Sequence, residues 1–459
     1  MPKWPKITWT SSPLDHFAQD GQPYILGINP WIYDFAAYNF WSRPAGLLVC
    51  LDLLRQAGAN IALLDCLDQT WSDIAWPNPL PYGQGHYLKT PIPKPRCYAD
   101  IPRNYSRYGL PFEAVKGALQ RLQPKPDCVV LGSIMTYWYP GVMAMVYLIR
   151  EIWPKVPIVL GGIYATLCND HARGQNLVDL IIQGPLENPR NWEKFWQFLG
   201  HAPPTLPENN SFVLARDLYP APKYSMILGS RGCPFSCPYC ANKCLYPHFF
   251  QDSFDHLWDN LEEELRRGVQ NFAFYDDAAL IRPQTWLLPL LKLLAQRNKN
   301  SITLHAPNAL HIRYLSTDLA RLLKKAGLKT VRLGLETADF HNRNDQKLTY
   351  EEWQYGLRAL YQAGFQPDQI GAYILFGLPE QDKTEIEQAI SFVQKWGIRP
   401  HLAEYTPIPG TQLFPVAEKS SPYPLQQEPL YQNNSIWPCY PGGFSWLEHR
   451  KWRALLKGN

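Results

Sequence analysis

No stretch of ~18 consecutive apolar residues occurs in the 459-residue sequence, so no segment is expected to cross a membrane. The opening residues, Met1 to Lys6, hold two prolines and lead into no hydrophobic core, so no secretory leader is expected there. Charge is sparse as well. Charged residues make up 18%, the net charge is +4, and no long basic run appears, which excludes the electrostatic footprint of a nucleic-acid binder. The basic residues His449, Arg450, Lys451, Arg453 and Lys457 read as the solvated face of a C-terminal helix. There is no internal repeat beyond a strand–helix alternation.

What is present describes an ordinary folded protein. Hydrophobic residues make up 46%, and the length allows two or three domains with sizeable cores. Seventeen Trp, 26 Tyr and 19 Phe mostly serve cores and interfaces, and 43 prolines stiffen the loops. Ten cysteines without a leader point to a reducing, cytoplasmic setting, where thiols serve metals or packing.

Three of those thiols stand together. Gly232-Cys233-Pro234-Phe235-Ser236-Cys237-Pro238-Tyr239-Cys240 places Cys233, Cys237 and Cys240 in the order C-x3-C-x2-C. Thiolates at that density select zinc, copper(I) or an iron–sulfur cluster. A zinc knot would use Cys244 as fourth ligand, but zinc ribbons usually pair two C-x2-C knuckles, and no second knuckle follows.

The spacing, with the aromatic Tyr239 before the last cysteine, resembles the signature of the radical SAM enzymes. The resemblance implies a 4Fe-4S cluster on Cys233, Cys237 and Cys240, its open iron binding S-adenosylmethionine (SAM) for reductive cleavage by an electron donor such as flavodoxin or ferredoxin. Phe274-Tyr275-Asp276-Asp277 stands where that family places polar groups for the amino end of SAM, and Asp276 and Asp277 can accept from an ammonium. Val331-Arg332-Leu333-Gly334-Leu335-Glu336 is similar to the family's strand near the ribose and carboxylate of SAM. There alternation puts Arg332, Gly334 and Glu336 on one face. Phe376-Gly377-Leu378-Pro379-Glu380 and Pro407-Ile408-Pro409-Gly410-Thr411 look like two further family elements, in which a glycine such as Gly377 admits the flat adenine. His305 and Asn308 are expected to face the same cavity.

The rest of the chain is consistent with an α/β fold of two parts. Strands are expected at 24–28, 61–64, 128–131, 156–160 and 177–182, with helices after Pro44, near 112–123 and from Pro140, while 66–111 reads as an irregular excursion. Near-continuous apolar strands between helices argue a doubly wound, Rossmann-like domain over residues 1–200. A Pro-rich linker spans 201–222. Strands at 224–230, 271–276, 302–306, 330–336, 370–376 and 402–406, with helices between them, argue a partial (βα)6 barrel over 223–415, followed by an extension over 416–459.

The first domain also resembles the cobalamin-binding module that precedes the barrel in one radical SAM subgroup. The likeness rests on Gly132-Ser133, Gly161-Gly162 and Gln183-Gly184-Pro185; it implies that Ser133, Gly161 and Gly162 receive the nucleotide tail of a corrinoid. The loop Asn29 to Tyr38 lacks the histidine that ligates cobalt in the mutases. Trp31, Tyr33, Phe35, Tyr38, Phe40 and Trp41, with Tyr137, Trp138 and Tyr139, crowd the corrin's place and either floor it or fill it. Arg96, Arg103 and Arg107 belong to a segment that either lids a pocket or lies solvated on the surface. The resemblance implies a cobalamin-dependent methyltransferase for an unactivated carbon or a phosphinate of a small-molecule or peptide substrate. A radical SAM rearrangement, oxidation or cyclisation enzyme with a vestigial first domain, and a non-catalytic zinc or iron–sulfur protein, stay open beside it.

Overall fold

The computed structural model describes residues 22–458 except 72–73, 78–79, 208–212, 221, 298–300, 344 and 346. Met1 to Lys6 and part of the Pro-rich 201–222 segment therefore lie outside the described residues. The chain divides into two compact units, Met1–Ala99 with Arg103–Pro222, and Asp100–Pro102 with Lys223–Asn459. Among the described residues no helix is long and apolar enough to cross a membrane.

The first unit is built on five parallel strands: β1 Tyr24–Asn29, β2 Asn60–Asp65, β3 Cys128–Leu131, β4 Ile158–Leu160 and β5 Leu180–Ile181, in the order β5-β4-β3-β1-β2. All six residues of β1 are buried, as a strand covered on both faces requires. The helix Ala45–Gln56 covers one face through Leu47, Leu48, Leu51 and Leu54, starting after Pro44, whose fixed φ suits a helix entry. It lies so close that a methyl on Gly27 would sit 2.6 Å from the Leu51 side chain. The strand order reverses between β1 and β3, and ligands of doubly wound sheets bind beyond the carboxyl ends at such a point.

Two features depart from the expectation. The 66–111 excursion is not irregular throughout. Ser106–Tyr108 pairs antiparallel with both Ile32–Asp34 and Lys89–Pro91, and Tyr38–Asn39 pairs with Gly85–His86. These ladders are two or three residues long, and two of the three join segments about fifty to seventy-five positions apart, so no local periodicity announces them. The helices Ile163–Leu167, Asn169–Gly174 and Pro189–Phe198 were also not foreseen. The last had a readable signal, because Asn188 caps it by accepting from Arg190 N and Pro189 opens it.

The second unit carries six parallel strands in sequence order: β6 Ser225–Ile227, β7 Asn271–Phe274, β8 Thr303–His305, β9 Leu328–Glu336, β10 Ile370–Phe376 and β11 Arg399–Glu404. The outer strands β6 and β11 are not hydrogen-bonded to each other among the described residues, so the barrel is open along one seam. Helices Phe254–Arg266, Leu287–Arg297, Thr317–Lys325, Tyr350–Gln362 and Lys383–Lys395 alternate with the strands. Ser253, Ser316 and Asp382 cap three of them, and Thr349 with Glu352 forms a full capping box on the fourth. Apolar residues of one strand face, such as Val331, Leu333, Ala372 and Ile374, form a single core with Trp286, Trp353 and Leu357 of the helical layer. The C-terminal helix Trp446–Lys457 docks by burying Trp452, which packs with Trp437 and Tyr440 around Phe376.

Candidate active site

The cysteine loop leaves the barrel beyond β6. A short antiparallel ladder, Ser230 with Gln251 and Arg231 with Phe250, clamps its two ends. Gly232 turns the chain at φ +79, where a methyl would lie 2.6 Å from the His248 carbonyl, so this position needs glycine. Cys233 is buried, with its Sγ 3.9 Å from His311 Nε2, and the His311 ring stacks on Phe235. Cys240 N donates to the Cys237 carbonyl at 3.1 Å, and Asn242 N donates to Cys240 Sγ at 3.5 Å. Cys244 is turned elsewhere, its thiol donating to the Gly410 carbonyl at 3.2 Å.

Among the described residues, no three His, Cys, Asp or Glu side chains converge on one metal-sized point. A loop with three thiols and a fourth engaged elsewhere fits a cluster with several metal corners, one of them open, better than a zinc that needs four donors around one ion. Burial pushes all three thiols above their ordinary pKa, Cys237 to about 11, and the Lys347 ammonium pulls each back toward the thiolate.

Lys347 is the residue the sequence reading missed. Its Nζ donates to Glu336 Oε1 at 2.8 Å, and both side chains are about nine-tenths buried. Burial works against its charge, but Glu336, then Cys237 and Asp345, hold the ammonium's pKa above its ordinary value. Asp345 ties the same loop to the cysteines, accepting from Tyr239 Oη at 3.3 Å and from Arg343 Nε at 2.7 Å. The only hint of this in the sequence is a polar stretch just after β9. Gly334 makes the ion pair possible, since a methyl there would lie 2.7 Å from both Glu336 Oε1 and Lys347 Nζ. The pairing of β9 with β10 shifts register between Gly334 and Glu336, and Glu336 sits at φ +68. Strain at a carboxylate that ends a barrel strand is the kind that functional sites retain.

The two aspartates part company. Asp277 Oδ2 accepts from Asn242 Nδ2 at 2.6 Å, two positions from Cys240, and so belongs to the cysteine loop's surroundings. Asp276 commits one of its two carboxylate oxygens, and its Oδ2 is buried with no hydrogen-bond partner. Its Oδ1 accepts from Gly229 N at 3.0 Å and Ser230 Oγ at 2.6 Å, tying the end of β6 to that of β7, while burial raises its pKa to about 7. The Gly377 turn, at φ +76, is held by Gln381, which accepts from Gly377 N at 2.8 Å; the residue that breaks the family pattern thus braces it. His305 contacts Thr330 Oγ1 at 3.2 Å, and Asn308 donates to the Tyr275 carbonyl at 3.1 Å, so both brace neighbouring strands. Arg332 lies deeper in the barrel, beside Tyr373, four residues before Glu336.

In the first unit, a crevice at the β1/β3 reversal is lined by Asn29, Trp31, Leu67, Ser133, Met135 and Trp138, among others. The Ser133 hydroxyl donates to the Gly161 carbonyl at 2.7 Å, and its backbone packs against Gly162. Gly161 keeps open space on its Cβ side. Most of the aromatic residues are spent on packing. Trp31 donates to the Leu110 carbonyl and stacks on Phe112, Phe35 packs on Tyr98 and Tyr105, and Trp41 donates to the Tyr82 carbonyl. Arg103 and Arg107 lie over Phe35 and Trp31 of the same unit.

Residues 227–393 match the profile of the Radical SAM superfamily. Among curated proteins, the bacteriochlorophyllide d C-12(1)-methyltransferase of Chlorobaculum tepidum is 22% identical over 280 residues, 56% of this chain and 59% of that one. The GTP 3',8-cyclase of a Cyanothece species is 25% identical over 193 residues, 40% of this chain and 56% of that one. The match thus spans less than two thirds of either relative. Among solved structures, the radical S-adenosylmethionine methyltransferase TsrM from Kitasatospora setae, with cobalamin and a 4Fe-4S cluster bound, superposes with a TM-score of 0.60 at 14% identity. That likeness covers 87% of this chain and 78% of that one, and is one of fold. The cysteine loop and four complete barrel strands lie inside the matched segment, so residues 227–393 are the part of this chain that carries the likeness to the Radical SAM superfamily.

Proposed function

We propose that the protein is a radical SAM methyltransferase that acts on carbon or phosphorus of a small-molecule or peptide substrate, with a corrinoid held by the first unit. The observation that carries the reading is the cysteine loop itself, three thiols beyond β6 with Cys244 turned away to Gly410. Cys233, Cys237 and Cys240 would hold the 4Fe-4S cluster, which supplies the electron that splits SAM. Asp277 stands beside Asn242 to accept from the amino group of SAM, and the Glu336 oxygen not held by Lys347 can take a ribose hydroxyl. Tyr239, whose hydroxyl donates to Asp345, would stand on the cluster's side of the Glu336–Lys347 pair, and Gly377 would admit the adenine. Flavodoxin or ferredoxin would deliver the electron, and an oxygen-sensitive cluster suits a cytoplasmic setting.

Three things support the corrinoid: the doubly wound sheet with its crevice at the β1/β3 reversal, the open side of Gly161, and the relatives named as methyltransferases. The committed hydroxyl of Ser133 and the packed aromatic residues favour a second reading, a radical SAM rearrangement, oxidation or cyclisation without corrinoid. Anaerobic reconstitution tests the shared core. The protein should take up iron and sulfide and cleave SAM on reduction. Cys233→Ala, Cys237→Ala and Cys240→Ala should each lose the cluster, and Cys244→Ala should keep it. Stoichiometric zinc without cleavage would refute both readings, and titration with hydroxocobalamin, followed in the visible spectrum, decides between them.

A further inference from the structure

Inside the barrel, below the rim, side chains from three neighbouring strands meet without an acid among them. They are Arg332 of β9, Tyr373 of β10 and His401 of β11. Register sets Arg332 beside Gly371 and Tyr373 beside His401. Their strand neighbours Val331, Leu333, Ala372 and Ile374 belong to the core on the helical side, so these three face the interior. Gly371 makes the room, because a methyl there would lie 2.6 Å from the His401 ring and 3.2 Å from Arg332 Cδ.

Their polar atoms are underused. Arg332 donates to the carbonyl of its neighbour Val331 at 3.1 Å and touches Tyr373. Tyr373 donates its hydroxyl hydrogen to the Pro307 carbonyl at 2.9 Å. His401 Nε2 is buried with no hydrogen-bond partner. Two other charges act here: Arg399, also a cation, and Glu336, which is felt at Tyr373 but is engaged by Lys347 at the rim. Burial, and then these arginines, push His401 down to about 4, so its ring is neutral near pH 7 and one ring nitrogen carries a hydrogen. Removing a guanidinium from water without a counter-charge is costly, and a fold that keeps one in its interior is suited to receiving an anion.

We propose that Arg332 and His401, with Tyr373 as their wall, receive an anionic group of the substrate, a carboxylate or a phosphate. The assignment rests on the enzymatic reading above and adds the substrate's charge. Four residues of strand separate Arg332 from Glu336, so the anchored group and the reacting atom lie on the order of 10 Å apart, at opposite ends of an elongated acid.

The test uses the full-length apo protein with labelled histidine rings, the His401 signal being assigned by its loss in His401→Gln. Sodium acetate and inorganic phosphate are titrated separately, with acetamide as the uncharged control. A saturable shift of the His401 ring with acetate, or with phosphate, and none with acetamide supports the site and tells which anion it prefers. Arg332→Gln should weaken that binding at least tenfold, whereas Arg332→Lys should retain part of it and shows that loss is not misfolding. The titration is repeated on anaerobically reconstituted protein with S-adenosylhomocysteine saturating the cofactor site. Undiminished anion binding assigns the pocket to the substrate, and competition would overturn the proposal by giving it to the cofactor's own carboxylate. No shift with either anion, or an equal shift in Arg332→Gln, also overturns it. Because anion binding needs no cluster, a protein that binds acetate but never loads iron would sink the enzymatic reading and leave the pocket standing.

Discussion

Replacing Gly334 with alanine isolates the buried ion pair on which the rim is built. The added methyl would lie 2.7 Å from Glu336 Oε1 and from Lys347 Nζ, and 3.3 Å from Ala309 Cβ. Both closest atoms are the tips of flexible side chains, so the pair parts before the strand moves. What is lost is a charged hydrogen bond at 2.8 Å between groups about nine-tenths buried. Such bonds contribute about 1.5–3 kcal/mol, so Gly334→Ala should cost about 2 kcal/mol. Lys347→Met removes the ammonium outright and leaves the carboxylate buried alone, which should cost about 3–5 kcal/mol. Both variants act through one contact, so the double variant should cost little more than Lys347→Met, well short of the sum. Urea unfolding of the apo protein, followed by tryptophan fluorescence, measures all four corners of the cycle; Trp286 and Trp353 are buried in the same unit. Additivity within about 0.5 kcal/mol would refute the idea that Gly334 exists to seat the pair.

The carboxyl of Asp276 rises from 3.8 to about 7 on burial, so the folded protein holds a proton that the unfolded chain releases. Stability should therefore fall as pH climbs from about 4 to about 7, by up to about 4 kcal/mol, and Asp276→Asn should flatten that slope; an unchanged slope in urea melts across this range would contradict it. In the first unit, Gly162 sits at φ +95 with backbone atoms of Ser133 at 2.4 and 2.8 Å from a would-be methyl, so Gly162→Ala should cost more than ~2 kcal/mol. Gly161→Ala meets nothing within 4 Å and should cost under ~0.5 kcal/mol, yet weaken hydroxocobalamin binding if the corrinoid tail passes there. Equal melting temperatures for the two variants would contradict the packing argument.

The elements legible in the sequence were those whose burial repeats along the chain. β3 and β10 coincide with the runs 128–131 and 370–376, and the helix Tyr350–Gln362 falls in the interval expected between the strands at 330–336 and 370–376. Apolar periodicity reports a covered face directly, whichever partner covers it. Pairing between distant short segments leaves no such trace, and so the ladder of Ile32–Asp34 with Ser106–Tyr108 escaped. The site divides in the same way. The three cysteines announce themselves by spacing, whereas the partners of Asp276 Oδ1 and of the Ser133 hydroxyl, namely Gly229, Ser230 and Gly161, are set by local geometry that spacing does not carry. Lys347 was invisible because an isolated lysine in a polar stretch reads as solvated until the fold brings Glu336 against it.

The unzipped join between β6 and β11 has a bearing on how the sulfur donors are held. The thiol-bearing loop springs from β6, and the chain that follows β11 crosses to it: Leu413 N donates to the Pro238 carbonyl at 2.9 Å, and the Cys244 thiol to the Gly410 carbonyl at 3.2 Å. Where the sheet leaves off, a strap of later sequence ties the two edges. Slackening that strap would therefore disturb the thiols from a distance, without altering any of them.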